Sequence, residues 1–421
     1  MQQFLNIITS QSIYGAVFAT LVFVGVGFAC SKIGLISSEM NMKLSLTTIN
    51  YFLPVLCFGA FMKNAEFSNI STILKVLITA FGFYILFAIY AKLVINYWPK
   101  LISNRIQKKA ILAWEKANKP GEYSAYKQAY IRSYQERLLA IEMIIAYGSL
   151  QYFAFPLIKS LSETGVGQSP IFEEFAIALL QIWNIPFLIG VSTHMRMTYA
   201  GIKVNRKELK SLGKALLHPM LITLYISLIC YLLQFAFRTQ FIDPNATLDK
   251  SLNISNYGYY QYVYNPEIHK SIPQEYLHHF WAAFPKQLPM FGMTIAMGVS
   301  IVSPIAWINI GASLHRSNVK SGIKSLSVWM SVIRKLIIAP LVMLFVISIP
   351  MVYTKFINVS TGVLFVLLMA CPPATACVTY SLASNHKEID YTAQVSSLAT
   401  LCCLFTIPLW VVGSFCILTI L

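Results

Sequence analysis

Apolar runs of about 18–25 residues recur from one end of this chain to the other, and nothing else in the sequence limits the fold as strongly. A backbone in lipid must satisfy every N–H and C=O internally, so only helices and closed barrels cross a bilayer. Runs of this length are the helical solution. Of the 421 residues, 57% are hydrophobic and 11% charged, whereas a soluble domain carries about 25% charged residues. The chain therefore reads as an all-α polytopic membrane protein, with no room between its spans for a soluble domain of conventional size.

Ten spans are expected, near 13–35, 44–62, 73–97, 140–160, 173–195, 215–237, 288–312, 331–353, 360–383 and 392–419. The opening MQQFLNIITSQS has no basic stretch before its apolar run and no clear cleavage site, so the first run reads as a retained span. With the N-terminus outside, the inner loops hold 21 Lys and Arg and the outer loops 8. The positive-inside rule then places both termini outside. The same bias accounts for the net charge of +16. The surplus faces an anionic inner leaflet, and no nucleic-acid partner is needed.

Two loops stand out. The basic inner loop 98–139 carries Tyr123, Tyr126, Tyr130 and Tyr134 on one helical face. That pattern predicts an interfacial helix on the inner leaflet, with a partner-binding helix as the alternative. The outer loop 238–286 holds the sequons NAT (245–247) and NIS (253–255) and the pair His278–His279, read as solvated rather than metal-binding. Eight cysteines fall in apolar runs without CxxC pairing, which predicts packing and no metal centre. No cofactor is expected.

The two halves echo each other. NYFLPVLCFGAF (50–61) and VSIVSPIAWINIGASL (299–314) each place a proline within seven residues of Gly-Ala. NIPFLIG (184–190) and TIPLWVVG (406–413) form a second pair. Between them lie two proline-interrupted spans, YGSLQYFAFPLI (147–158) and VLLMACPPATACVTYSL (366–382), each fourth in its group of five. Five is odd, so the second group enters the membrane from the opposite side. The expectation is two inverted five-helix repeats, 1–199 and 200–421, the pattern of many secondary transporters. Helix 4, broken near Pro156, and helix 9, broken at Pro372–Pro373, would cross near the midplane. Half-helix ends there offer unpaired amides and dipoles to an anion; the plain alternative is prolines that kink helices for packing.

GFACSKIGLISSEMNMKLSLTTINYFLPVLCFGAF (27–61) and MACPPATACVTYSLASNHKEIDYTAQVSSLATLCCLFTIPLW (369–410) resemble the auxin efflux carrier family. Thr400 and Ile407-Pro408-Leu409 match the tenth-span tail of its bacterial, malate-permease-like members, and SPIAWINIGASL (303–314) resembles the seventh-span pattern. The resemblance implies ten helices, a scaffold and a transport unit, two crossing broken helices, and movement of organic anions. It makes Pro156 and Pro372–Pro373 the crossover breaks. Cys57 falls where plant members have a small polar substrate contact, and Ser149 where they have asparagine, which argues against auxin itself.

Polar groups near the breaks are Ser149, Gln151, Tyr152, Thr375, Thr379 and, from span 7, Asn309. Each can bond a substrate or satisfy a freed carbonyl in its own helix, and both readings stay open. Glu142, Glu173 and Glu174 are placed at span edges, and Arg334–Lys335 are expected to snorkel. Glu142 is the candidate coupling group if its span begins earlier than 140. The histidines cluster near span ends or outside, which argues against an embedded enzyme. The expected activity is a secondary carrier of small organic anions such as dicarboxylates in a bacterial plasma membrane, with a homodimer allowed. A sodium-coupled symporter of the bile-acid type and a non-transporting sensor are the alternatives.

Overall fold

The computed structural model describes the chain except for residues 1–10, 102, 117–121, 164–170, 173–174, 202–212, 214–215, 238, 243–259, 266–269, 276, 317–318 and 355. Glu173, Glu174 and both sequons lie outside the described residues. Among those described, six helices are long and apolar enough to cross a membrane: Phe67–Pro99, Ala176–Ala200, Pro219–Ala236, Pro289–Arg316, Leu326–Tyr353 and Ile389–Ile420. This is the helical membrane architecture that composition demands.

In chain order the helices are α1 (Gln11–Lys32), α2 (Ser38–Thr47), α3 (Leu53–Ala60), α4 (Phe67–Leu101), α5 (Ser103–Lys116), α6 (Tyr123–Ala146), α7 (Phe155–Glu163), α8 (Ala176–Gly190), α9 (Arg196–Ala200) and α10 (Pro219–Ala236). After the outer loop come α11 (Phe280–Gln287), α12 (Pro289–Arg316), α13 (Val319–Ile323), α14 (Leu326–Ile333), α15 (Ala339–Thr354), α16 (Val359–Ala370), α17 (Thr375–Ala383) and α18 (Ile389–Ile420). Local chemistry marks several starts. Ser37 caps α2, accepting from the Met40 N–H, and Asn358 caps α16 through the Thr361 N–H.

Proline shapes three places in one way. Pro54, Pro156 and Pro340 are each the second residue of a helix that follows a five-residue π-turn (Thr48–Phe52, Leu150–Ala154, Arg334–Ile338). In each case the residue before proline donates its N–H five residues back, to Thr48, Leu150 or Arg334. Proline has no N–H for the carbonyl four residues back, so that oxygen needs another donor. At two of the three sites an indole supplies it. Trp307 Nε1 donates to the Tyr152 carbonyl at 3.1 Å, and Trp410 Nε1 to the Leu336 carbonyl at 2.7 Å. Pro156 therefore does not break the fourth span, contrary to expectation. It sits in the first turn of α7, and the interruption lies earlier, at Tyr147–Ser149.

The described residues of 100–139 form two helices packed on one another rather than a single surface helix. Ile106 and Ala110 of α5 are buried, α5 packs on α6, and α6 runs unbroken from the tyrosine segment to Ala146. Glu142 consequently lies inside α6 at 3% exposure, not at a span edge. The outer loop contains two antiparallel ribbons, β1 (Gln240–Ile242) with β4 (Leu277–His279) and β2 (Tyr260–Asn265) with β3 (Lys270–Glu275). His278 is buried rather than solvated, with Nε2 2.6 Å from Lys286 Nζ. The His279 N–H donates to Asn64 Oδ1 at 3.0 Å, which pins the ribbon to the turn after α3.

Helices α1 and α12 make the most extensive helix–helix contact, and α3 packs on both α10 and α12. Glycine makes the first contact possible: a Cβ at Gly27 would collide with the Ile308 carbonyl, and one at Gly311 with the Val24 carbonyl. In lipid, helices associate by close packing rather than by water exclusion, so small residues at the seam set how near they come. Gly311→Val should destabilise the fold by about 1–3 kcal/mol through overpacking. A lowered midpoint of thermal unfolding in detergent checks this; a wild-type midpoint would show that α1 and α12 tolerate wider separation.

Candidate functional site

α6 ends at Ala146 and α16 at Ala370, and each chain then runs extended for a few residues before a second helical segment begins. The two extended stretches meet antiparallel, Gly148 opposite Pro373. The Ser149 N–H donates to the Pro372 carbonyl at 2.7 Å, and the Ala374 N–H to the Tyr147 carbonyl at 2.8 Å. The cause is local. Pro372 and Pro373 supply no N–H, and each biases the residue before it away from helical geometry. Gly148 allows the approach, because a Cβ there would meet Cys371 Cβ and the Leu368 carbonyl at 3.3 Å. All residues of both stretches are buried.

This pairing corrects one expectation. The amides of Ser149 and Ala374 do not wait for a ligand; each is held by the other chain. Neither Ser149 nor Ala374 caps its following helix with a side chain.

Lys335 braces the crossing from the side. It is fully buried, and its Nζ donates to the Ile145 carbonyl at 2.9 Å, in the last turn of α6. A cation at a helix C-terminus meets the negative end of the dipole. The expected snorkelling fails for Lys335, which turns into the protein, whereas Arg334 is exposed. Tyr147 is held by an aromatic group. Its ring stacks on Tyr84 with centroids 5.5 Å apart, its hydroxyl lies 3.1 Å from His194 Nδ1, and Trp183 Nε1 donates to the Tyr84 hydroxyl at 3.3 Å. Gly190 leaves room for the Tyr147 hydroxyl.

Buried amides gather around these elements. Cys57 Sγ donates to Gln181 Oε1 at 3.1 Å, and Asn184 Nδ2 donates to the same oxygen at 3.2 Å. Among the described residues, Gln181 Nε2 and Asn184 Oδ1 have no partner, and neither does either amide atom of Asn309 or of Gln151. A buried polar atom without a partner costs about 1–3 kcal/mol, so each marks a place for water or a guest.

The predicted residues divide accordingly. Cys57, Gln151 and Asn309 belong to this buried polar set; Ser149, Pro372 and Pro373 build the crossing itself. Tyr152 contributes its carbonyl to Trp307, and Pro156 explains why that carbonyl was available. Thr375 is exposed at the start of α17, and Thr379 Oγ1 donates to its carbonyl at 3.2 Å, the self-satisfying reading. Gln181 and Asn184 were not among the predicted residues, and Lys335 was expected to snorkel. The signal for the first two was present: polar residues inside the apolar run LLQIWNIPFLIG, just before Pro186. Among the described residues no group of three His, Cys, Asp or Glu is placed to hold a metal.

Lys335→Met should leave the Ile145 carbonyl unpaired at the crossing and cost about 1–3 kcal/mol. Denaturant unfolding of the purified protein reads this directly, and an unchanged midpoint would show that the ammonium does not brace α6.

A scan against protein-family models and a search of curated proteins return no match for this chain.

Proposed function

We propose that this chain is a secondary carrier of small organic anions, a dicarboxylate or related carboxylate, working by alternating access around the crossing of its two interrupted segments. The single observation that carries the reading is the antiparallel pairing of Tyr147–Ser149 with Pro372–Ala374, flanked by buried amides that lack partners. Irregular backbone at membrane depth is tolerated where protein or a wet cavity covers it, and broken helices meeting at the midplane are a transporter arrangement.

The amides come from two sets of helices. Cys57 and Asn309 lie on α3 and α12, which with α1 and α10 form one mutually packed group. Gln151, Gln181 and Asn184 lie on the segments at and beside the crossing. The Cys57–Gln181 and Trp307–Tyr152 hydrogen bonds join the two sets. Rocking one set against the other breaks few such bonds and uncovers amide donors suited to a carboxylate. Lys335 gives this region a positive bias, and the chain's three aspartates, Asp243, Asp249 and Asp390, lie outside its apolar runs.

The inverted-repeat reading, with units 1–199 and 200–421, is supported by matching contacts. α1 packs on α12 as α3 packs on α10, and α4 packs on α8 as α14 packs on α18. The resemblance to the auxin efflux carriers points the same way, as does the positive-inside assignment of a plasma-membrane protein with both termini outside.

Purified protein in proteoliposomes should move a carboxylate under an imposed gradient, and absence of flux for every carboxylate and gradient tried would sink the carrier reading. Replacing Pro372 and Pro373 together by alanine should restore helical bonding through residues 368–376 and abolish transport while leaving membrane insertion intact. Unchanged rates in that variant would contradict the role of the break. Asn309→Ala should weaken substrate affinity roughly tenfold, the worth of one hydrogen bond to a charged group; an unaltered KM would remove Asn309 from the site.

A further inference from the structure

A second feature is a large cavity beside the crossing, where Ile145 and Met369, close to the two interrupted stretches, are among its lining residues. It has a volume of about 1450 Å³ and runs between α4, the α5–α6 pair and the α14–α15 segment. Small-molecule pockets hold about 300–1,000 Å³, so this one suits a bulkier guest. Its two long walls are helical stripes. Thr79, Phe83, Phe87, Tyr90, Val94 and Trp98 follow one face of α4, while Leu326, Met330, Arg334, Ile338, Val342 and Val346 recur every fourth residue on the other side. At 1.5 Å per residue each stripe extends about 28–30 Å, close to the ~30 Å hydrocarbon core of a bilayer. The cleft is open along one side, where Leu86, Val342 and Val346 are each more than half exposed.

Charge is concentrated at one end. The walls around Thr79, Phe83, Val342 and Val346 are apolar, whereas the mouth beside Trp98 and Leu326 is lined by Arg105, Lys109 and Arg137. One of the mouth's three cations is already engaged. Arg137 donates to Ser327 Oγ at 2.6 Å, lies over the Tyr391 ring and sits 4.0 Å from Glu388. Arg334 lines the same cavity as the buried Glu142, eight residues along its helix from the mouth at Leu326. Arg105 and Lys109 are exposed and form no ion pair among the described residues. The cleft thus offers two uncompensated positive charges at the basic face of the membrane and a long apolar trough leading away from them.

We infer that this cleft is a binding site for an anionic phospholipid of the leaflet on the basic side, its phosphate at Arg105 and Lys109 and an acyl chain between α4 and α15. A zwitterionic lipid gains nothing from a net positive mouth, and a small soluble anion leaves the trough unfilled. The basic mouth at Arg105 and Lys109 uses none of the residues that build the crossing, so its occupancy and the carrier reading are tested separately.

The test uses full-length protein in phosphatidylcholine vesicles containing phosphatidylglycerol or phosphatidylcholine brominated near the top of the tails. Quenching of Trp98 is taken as the difference between wild type and Trp98→Phe. Each basic residue near an anionic headgroup is worth about fivefold, so brominated phosphatidylglycerol should quench at a mole fraction about 25-fold below brominated phosphatidylcholine. Arg105→Gln with Lys109→Gln should bring the two lipids level, and both positions are exposed, so folding is not at issue. Equal quenching by both lipids in the wild type, or a preference untouched by the double substitution, would overturn the site. Displacement of phosphatidylglycerol by an equal mole fraction of long-chain fatty acid would overturn the phospholipid assignment in favour of a free amphiphile.

Discussion

Two backbone hydrogen bonds, Ser149 N–H to Pro372 and Ala374 N–H to Tyr147, are what the centre of this molecule depends on. Two helices that stop in a buried interior each strand polar groups out of reach of water, at about 1–3 kcal/mol per group. Bringing the stops together lets each chain satisfy the other. Everything nearby serves that contact. Gly148 admits the second backbone, Lys335 occupies the carbonyl end of α6, and the Tyr84–Trp183–His194 group fixes Tyr147.

The same logic repeats at the prolines that do not break helices. Pro156 and Pro340 each release a carbonyl, and in both cases a tryptophan from another helix donates to it. The chain thus turns a local defect into an interhelical tie, α12 to the turn before α7 and α18 to the turn before α15. Interhelical hydrogen bonds in lipid are individually modest, about 0.6 kcal/mol on average. Their value here lies in direction, since an indole reaches a carbonyl from one orientation only.

The helical segments were legible because apolar length and composition leave few alternatives, and the doubled proline announced one interruption. The other was misplaced by eight residues. Pro156 looked like the cause of the break, yet proline in the first turn of a helix interrupts nothing, and the real stop is Tyr147–Gly148–Ser149, which carries no proline. Tyrosine spacing in the basic loop correctly announced a helix. It gave no sign that this helix would continue unbroken through Glu142. Of the candidate residues, Gln151 and Asn309 were named as polar groups near the breaks and Cys57 from the family resemblance, and all three carry buried polar atoms. Lys335 was misread because a lysine beside an arginine at a span end ordinarily reaches for water.

Sequence by itself determined that the chain is a bundle of apolar helices, that its positive charge is asymmetric along the chain, and where the helix at 371–374 must stop. Each follows from the chemistry of single residues or short runs: transfer free energy, charge, and a missing N–H. Tertiary structure alone decided which carbonyl each orphaned donor would find, which way Lys335 would turn, and that α4 and α15 would stand apart around a charged-ended cleft. Those outcomes join residues far apart in the chain, as with the 227 positions between Ala374 and Tyr147. Pairing at that distance is a property of packing, which no local pattern encodes.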